Sequence, residues 1–336
     1  MHHGFAVMSS SSTREGTRAE PILSLSRSMR GLGGRRSLLM LSLVASLAWA
    51  SLPNASADTD TSETIIVHGI TPKAIRGEVD KMVAAPWYQQ LARWGNTFCP
   101  TVVGLPEPYR EVVVDHLQKA ARAMIPDLST SCAENNVFVL FTNDGTEAFN
   151  RILAKAPMLG KTVDPVSMDY SSSSPSKGEV AELRQDRPVR WFRKTVNETA
   201  PGVFLRPRSP VSKKTVFDRT MANPMDKDTQ ARVNSVTVIV DVERASGATL
   251  GQLSDYIAFV ALADPEVGDS FSPVSIMSLY NNDKFNAAAP GTMTRFDGWL
   301  LHALFDANPA RDAHDEQAEI STLVRERFAN QNTASR

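Results

Sequence analysis

Few side chains in this sequence stand at the spacings that catalysis or metal binding requires. Beyond residue 57 the chain has four histidines, His68, His116, His302 and His314. No two of them are three or four residues apart, as the ligands of a helical zinc site would be. The sequence also has no nucleophile elbow, phosphate-binding glycine loop or dinucleotide fingerprint. We therefore expect no metal site and no cofactor, with His116 solvated and His302 a packed or surface residue.

Asp255 is the carboxylate that most needs an explanation. It lies near the start of the segment Leu250–Ala263, which is apolar on nearly every side and therefore predicts a central, buried helix. One interpretation places Asp255 in the first turn, where the helix dipole stabilises a carboxylate by about 0.3–1 kcal/mol. The other makes it a catalytic acid or base, a role that requires a cleft and a partner group. The sequence favours the structural role and leaves Asp255 as the one weak catalytic candidate.

Cys99 and Cys132 are the two cysteines of the chain. In an exported protein an even pair favours a disulfide, because the compartment is oxidising. Closing a loop of this size would stabilise the fold by about 3–4 kcal/mol. A cysteine nucleophile and a metal-binding pair are the alternatives, but no histidine lies beside either residue and no Cys-x-x-Cys spacing exists.

The N-terminal region has the organisation of a secretion signal. Arg30, Arg35 and Arg36 precede an apolar stretch over residues 37–50, and Ala57 ends a small-x-small cleavage pattern. We expect residues 1–57 to be a leader, 58–64 a mobile tail and the mature protein to be periplasmic or secreted. Translation from Met29 would give a signal of ordinary length, whereas a start at Met1 would give a long charged region.

The composition of the mature chain restricts its partners. The sequence has 36 Lys and Arg against 37 Asp and Glu, and the leader removes more basic than acidic side chains, which leaves a mildly acidic protein. The absence of basic runs argues against nucleic-acid binding. No second apolar run has membrane-spanning length. We expect no transmembrane segment in the mature chain, and an envelope protein or a small ligand as its partner.

The hydrophobic pattern predicts an α+β fold with a sheet flanked by helices, in a single domain over residues 65–336. The segments 136–142, 189–196 and 233–242 read as strands, and the first of them reads as an inner strand buried on both faces. Ser- and Pro-rich loops are expected near 157–180 and 199–230. Predicted helices cover residues 71–85, 106–125, 144–156, 250–263, 295–305 and 314–330.

The order of elements over residues 233–280 resembles the zincin metallopeptidases. A strand precedes the buried helix, and the stretch from Ser275 to Tyr280, which begins Ser-Ile-Met, resembles their Met-turn. The resemblance places Ser254 and Ala258 at the two zinc-binding histidines, Asp255 at the general base and Asp264 at a third ligand. Serine and alanine cannot bind zinc there. The resemblance therefore implies a degenerate zincin-like scaffold without the metal.

A second resemblance covers most of the chain from Ile65 to about Phe305. The stretches 93–94, 99–100, 104–106, 136–141 and 252–263, together with Cys132, resemble an uncharacterised family of exported alphaproteobacterial proteins. That resemblance implies export and the disulfide but no activity. The expected function is a non-enzymatic periplasmic binding or envelope-associated module. The alternative is a hydrolase on the degenerate scaffold, which would use acids such as Asp255 and Asp264.

Overall fold

The computed structural model describes residues 71–84, 90–156, 175–199, 206–207, 217–218, 227 and 229–334. Several sequence-based predictions lie outside these residues. They are the leader and tail over 1–64 and most of the two Ser- and Pro-rich loops.

In the described part of the chain, six helices and three strands occupy segments that the sequence predicted. The helices are α1 (Pro72–Met82), α2 (Tyr109–Met124), α3 (Gly145–Lys155), α4 (Lys177–Leu183), α5 (Leu250–Ala263), α6 (Arg295–Asp306) and α7 (Ala313–Ala334). The strands are β1 (Pro100–Val103), β2 (Val137–Thr142), β3 (Val189–Thr199), β4 (Arg206–Pro207), β5 (Phe217–Asp218) and β6 (Thr229–Asp241). Of these elements, α4, β1, β4 and β5 were not predicted. A 3-10 segment, Ile276–Asp283, lies between α5 and α6.

Four of the strands form one mixed sheet in the order β1-β2-β6-β3. The first three are parallel, with Val102, Val139 and Val238 in register, and β3 runs antiparallel to β6, with Trp191 opposite Val238. Helices pack on this sheet, which confirms the predicted α+β class. None of the helices in the described ranges combines the length and apolar composition needed to cross a membrane.

The two faces of the sheet are covered unequally. One face packs against α2 and α5, and α5 is buried from Leu253 to Ala263, as its all-round apolar sequence predicts. The other face carries a small cluster in which Phe149 of α3 and Leu183 of α4 contact Ile239. β2 is an inner strand as predicted, but the prediction that both of its faces are buried is wrong. Phe138 is 40% exposed, because this small cluster extends to Leu140 and no further.

Local capping sequences determine several helix boundaries. The Thr249 and Thr294 side chains each accept a hydrogen bond from the residue three positions later, Gln252 and Asp297, in complete capping boxes. A third box, formed by Ser176 and Glu179, begins α4 at Lys177. This helix corrects the end of the loop predicted near 157–180. Similarly, β6 begins at Thr229 inside the predicted 199–230 loop, because its pairing with β3 extends to Thr199.

The predicted disulfide joins Cys99 and Cys132, whose Cα atoms are 5.7 Å apart. The residues before it belong to the core. Trp94 and Phe98 are 2% and 3% exposed, and their rings meet edge to face with centroids 4.9 Å apart. The bond therefore attaches the loop after α2 to a buried part of the molecule.

Candidate functional site

Asp255 lies in the second turn of α5, not in the first turn where the structural interpretation had placed it. Its side chain is 13% exposed. One carboxylate oxygen contacts Nδ1 of His116 at 2.8 Å, and the other accepts hydrogen bonds from the Thr292 hydroxyl and, at 3.0 Å, from the backbone N–H of Met293. Packing against α2 and the loop before α6, rather than the helix dipole, therefore explains this carboxylate.

His116 is the partner that sequence reasoning missed. It was expected to be solvated, but its ring contacts Asp255 across the interface of α2 and α5, and its side chain is 38% exposed. An imidazole oriented by a carboxylate can serve as a general base. Within the described part of the chain, however, no serine, threonine or cysteine forms a hydrogen bond with the other ring nitrogen of His116. The contact therefore connects α2 to α5, and a catalytic role would require a further group, such as a nucleophile or a bound water.

The positions that correspond to zinc ligands are enclosed in the core. Ser254 and Ala258 are both 0% exposed, and the Ser254 hydroxyl donates to the carbonyl of Leu250 at 2.7 Å. Asp264 is nine residues beyond Asp255, which corresponds to about 13 Å along a helix, so the two acids do not share a site. No group of three potential metal ligands occurs among the residues that the structure describes.

Asp241, at the carboxyl end of β6, is another acid that could have faced a ligand. It is 3% exposed, and its oxygens accept the backbone N–H groups of Gly145 and Arg244, each at 3.1 Å. A Cβ at Gly145 would lie 1.9 Å from a guanidinium nitrogen of Arg190. Close packing thus leaves no room for a ligand between Asp241 and α3.

A cleft of about 480 Å³ lies beside the edge strand β3, and it is the strongest candidate for a binding site. This volume is within the range of pockets that bind small molecules. Trp191, Phe192 and Arg193 of β3 form one side of the cleft, and Asp264, at the end of α5, lies across from them. Apolar side chains from several elements complete the lining: Val83, Leu91, Ala92, Leu183 and Val267.

The pairing of β3 with β6 shows which backbone groups face this cleft. The N–H of Asp241 donates to the carbonyl of Pro188, so this opposed pair is of the hydrogen-bonded kind. Hydrogen-bonded and non-hydrogen-bonded pairs alternate along an antiparallel ladder. Trp191 and Arg193 are therefore non-hydrogen-bonded positions whose N–H and C=O groups point away from β6. No residue in the described ranges pairs with them.

Arg193 and Asp264 form the main charged contact of the cleft. Nε of Arg193 lies 3.2 Å from the Asp264 carboxylate, and a terminal nitrogen donates to the carbonyl of Val260 at 2.8 Å. The Arg193 side chain is 4% exposed, and burial lowers the pKa of its guanidinium. Asp264 has the left-handed backbone conformation, with φ of 61°, and its side chain is 46% exposed. The cleft thus presents a carboxylate to its occupant and keeps the guanidinium behind it.

Three further carboxylates line the cleft: Glu179, Glu182 and Glu266. With Asp264 they outnumber the single guanidinium, so the cleft is acidic. The sequence alone could have indicated the acids, which cluster around 179–182 and 264–266. It could not have indicated that α4 and the end of α5 face the same strand edge.

Comparison of the chain with protein-family models, with curated proteins and with solved structures finds no match.

Proposed function

We propose that this protein is an exported binding module that holds an extended peptide segment in the cleft along β3. The observation that carries the proposal is the pair of outward-facing backbone positions at Trp191 and Arg193, which open onto the cleft. An edge strand with unpaired N–H and C=O groups binds an extended chain by adding it to the sheet. Main-chain hydrogen bonds would supply affinity, and the side chains of the cleft would supply specificity.

The lining of the cleft favours a peptide with alternating apolar and basic residues. Successive side chains of an extended strand point to opposite sides, so one set would face the apolar lining around Leu183 and Val267 and the other would face the acids. Glu179 would attract lysine or arginine side chains most strongly, because Glu182 and Asp264 each lie within 3.5 Å of a guanidinium, that of Arg187 and that of Arg193. Because Arg193 is already paired with Asp264, it would not oppose a basic ligand.

The compartment forms part of the proposal. The signal-like leader and the resemblance to exported proteins support a periplasmic or secreted protein, and the Cys99–Cys132 disulfide is compatible with an oxidising compartment. An envelope protein that displays an extended basic segment would be the natural partner, and a small ligand of similar chemistry is the alternative. The acidic cleft also supports the expectation that nucleic acid is not a partner.

A fluorescent peptide of three Leu-Lys repeats, blocked at both ends, tests this function by its anisotropy. We expect saturable binding that a three-repeat Leu-Glu peptide does not reproduce. Methylation of alternate backbone nitrogens should abolish it, because those nitrogens would pair with β3. Absence of saturable binding, or equal binding of the methylated peptide, would overturn strand addition in this cleft.

Removal of one carboxylate from the cleft tests whether the peptide binds there. Glu179→Gln removes one carboxylate but retains the α4 capping box, because glutamine performs the same capping role as glutamate. We expect it to weaken binding of the Leu-Lys peptide several-fold. The matched control, Glu326→Gln on an exposed position of α7, should leave binding unchanged. Equal effects of the two variants would indicate attraction by net charge rather than a site.

A hydrolase is the second candidate, and the contact between His116 and Asp255 is the observation in its favour. On this proposal the dyad would activate water, and Asp255→Asn would abolish hydrolysis of a casein substrate while the protein remained folded. Lack of hydrolysis by the wild-type protein would eliminate this candidate and leave the peptide-binding proposal untouched.

A further inference from the structure

A second and larger groove lies at the amino ends of the parallel strands. Its volume is about 1150 Å³, above the range of about 300–1,000 Å³ that is typical for single small ligands. Cys99, Asn136 and Ser235 place it at the starts of β1 and β2 and beside the neighbouring part of β6. None of these residues lines the cleft along β3, so the groove is a separate feature.

Uncharged polar side chains outnumber charged ones in the lining of this groove. Asn96, Asn135 and Asn234 are exposed, and no hydrogen bond occupies their side-chain amides in the described part of the chain. Each amide offers two donors and a carbonyl acceptor in one plane. Thr97 and Ser131 add hydroxyl groups to the same lining. Such a surface is suited to a ligand whose own groups both donate and accept, as vicinal hydroxyls do.

An aromatic ring lies among these polar groups. Phe138 is 40% exposed and stands in register between Thr101 of β1 and Thr237 of β6. The ring offers a flat apolar face for stacking. A sugar ring combines an apolar C–H face with a rim of hydroxyls, and this combination matches a groove whose lining includes both an exposed phenyl ring and several amides.

The charges of the groove are few and largely compensated. Arg93 lies 2.6 Å from Glu316, and Arg232 lies 3.4 Å from Glu198 and donates to the carbonyl of Trp94 at 3.2 Å. The remaining lining carboxylates are Asp127 and Glu134. A strongly anionic ligand would meet these acids and no uncompensated cation, so the groove favours an uncharged ligand.

We propose that this groove binds a neutral oligosaccharide of several rings, with the three asparagine amides on its hydroxyls and Phe138 stacked on one sugar face. The walls are held in place before binding. The disulfide attaches the loop around Cys132 to Cys99, and the Asn136 side chain accepts the Cys99 N–H at 2.7 Å. Walls that are already held in place lose less conformational entropy when a ligand binds. The proposal goes beyond peptide binding and gives the protein a second, glycan-binding surface.

Calorimetric titration of the full mature protein with uncharged hexasaccharides tests this proposal. The probes are cellohexaose, chitohexaose, maltohexaose and laminarihexaose, and hexagalacturonate is the anionic control. We expect at least one neutral probe to bind with micromolar to millimolar affinity and hexagalacturonate to bind more weakly. If no neutral probe binds at millimolar concentration, or if hexagalacturonate binds best, the proposal is overturned.

Substitutions then locate the site. Phe138→Ala and Asn234→Ala alter exposed side chains, and each should weaken binding at least tenfold with an unchanged circular dichroism spectrum. Tyr109→Ala, at an aromatic residue that is 56% exposed and outside the groove, is the matched control and should have no effect. Binding that survives both groove substitutions would refute the assignment. Glu179→Gln should leave the sugar titration unchanged, so failure of the peptide-binding proposal would not affect this one.

Discussion

Replacement of Asp255 by alanine should destabilise the protein, because this carboxylate joins three segments that are distant in sequence. It contacts His116 from α2 at 2.8 Å, and it accepts hydrogen bonds from Thr292 and from the Met293 backbone N–H, the latter at 3.0 Å. Its side chain is only 13% exposed. Water can therefore replace the missing carboxylate only in part.

The size of the effect follows from how each donor would be satisfied after the substitution. His116 is 38% exposed and Thr292 is exposed, so both can return to water at small cost. The Met293 N–H is partly buried, and an unsatisfied donor of this kind costs about 1–3 kcal/mol, with some further loss because its acceptor is charged. We expect Asp255→Ala to lower the free energy of unfolding by about 2–3 kcal/mol. Asp255→Asn, which retains one acceptor oxygen, should cost about half as much.

Urea unfolding with the disulfide intact, followed by tryptophan fluorescence, measures this effect. His116→Ala is the control, because it removes one partner at the exposed end of the contact and should cost less than about 1 kcal/mol. A cost below about 0.5 kcal/mol for Asp255→Ala would refute the structural role. A cost for His116→Ala equal to that of Asp255→Ala would refute the central part assigned to Met293.

Two further predictions concern backbone conformation and pH. Gly104→Ala should lower the free energy of unfolding by at least about 2 kcal/mol, because φ is +89° and the new Cβ would lie 2.0 Å from the carbonyl oxygen of Phe141. On α1, a Cβ at Gly77 would meet nothing within 4 Å, so Gly77→Ala should raise the free energy of unfolding by about 0.5–1 kcal/mol in the same urea assay. Equal effects of the Gly104 and Gly77 substitutions would contradict this explanation. Burial raises the pKa of Asp297 to about 6, so below about pH 4 both states are protonated, and between about pH 4 and 6 only the unfolded state ionises. Titration of Asp297 should therefore lower the free energy of unfolding by about 3 kcal/mol over this interval. Burial also raises the pKa of Glu316, to about 7, so the wild-type protein should show a larger total fall, and Asp297→Asn should reduce that fall by the Asp297 share at the same pH values.

The local sequence was sufficient for the helices whose ends are capped by their own residues. Thr249 with Gln252 and Thr294 with Asp297 form the boxes that their spacing predicts, because a capping box needs only residues three positions apart. The burial of α5 could also be predicted, since a helix that is apolar all round has no side to present to water. The disulfide could be predicted because the chain has one possible pair of cysteines and a signal-like leader.

Tertiary packing decided the contacts of the candidate site residues. His116 and Asp255 are 139 residues apart, and no local rule indicates that α2 crosses α5 at that point. Phe138 has the sequence environment of a core residue, and only the limited extent of the α3 and α4 cluster leaves it exposed. The cleft could not be predicted from the sequence either. A strand can be recognised as an edge strand only when the order of strands in the sheet is known. Sequence patterns determined the elements and their buried sides through interactions within a few residues. The sites arise where elements that are distant in sequence meet.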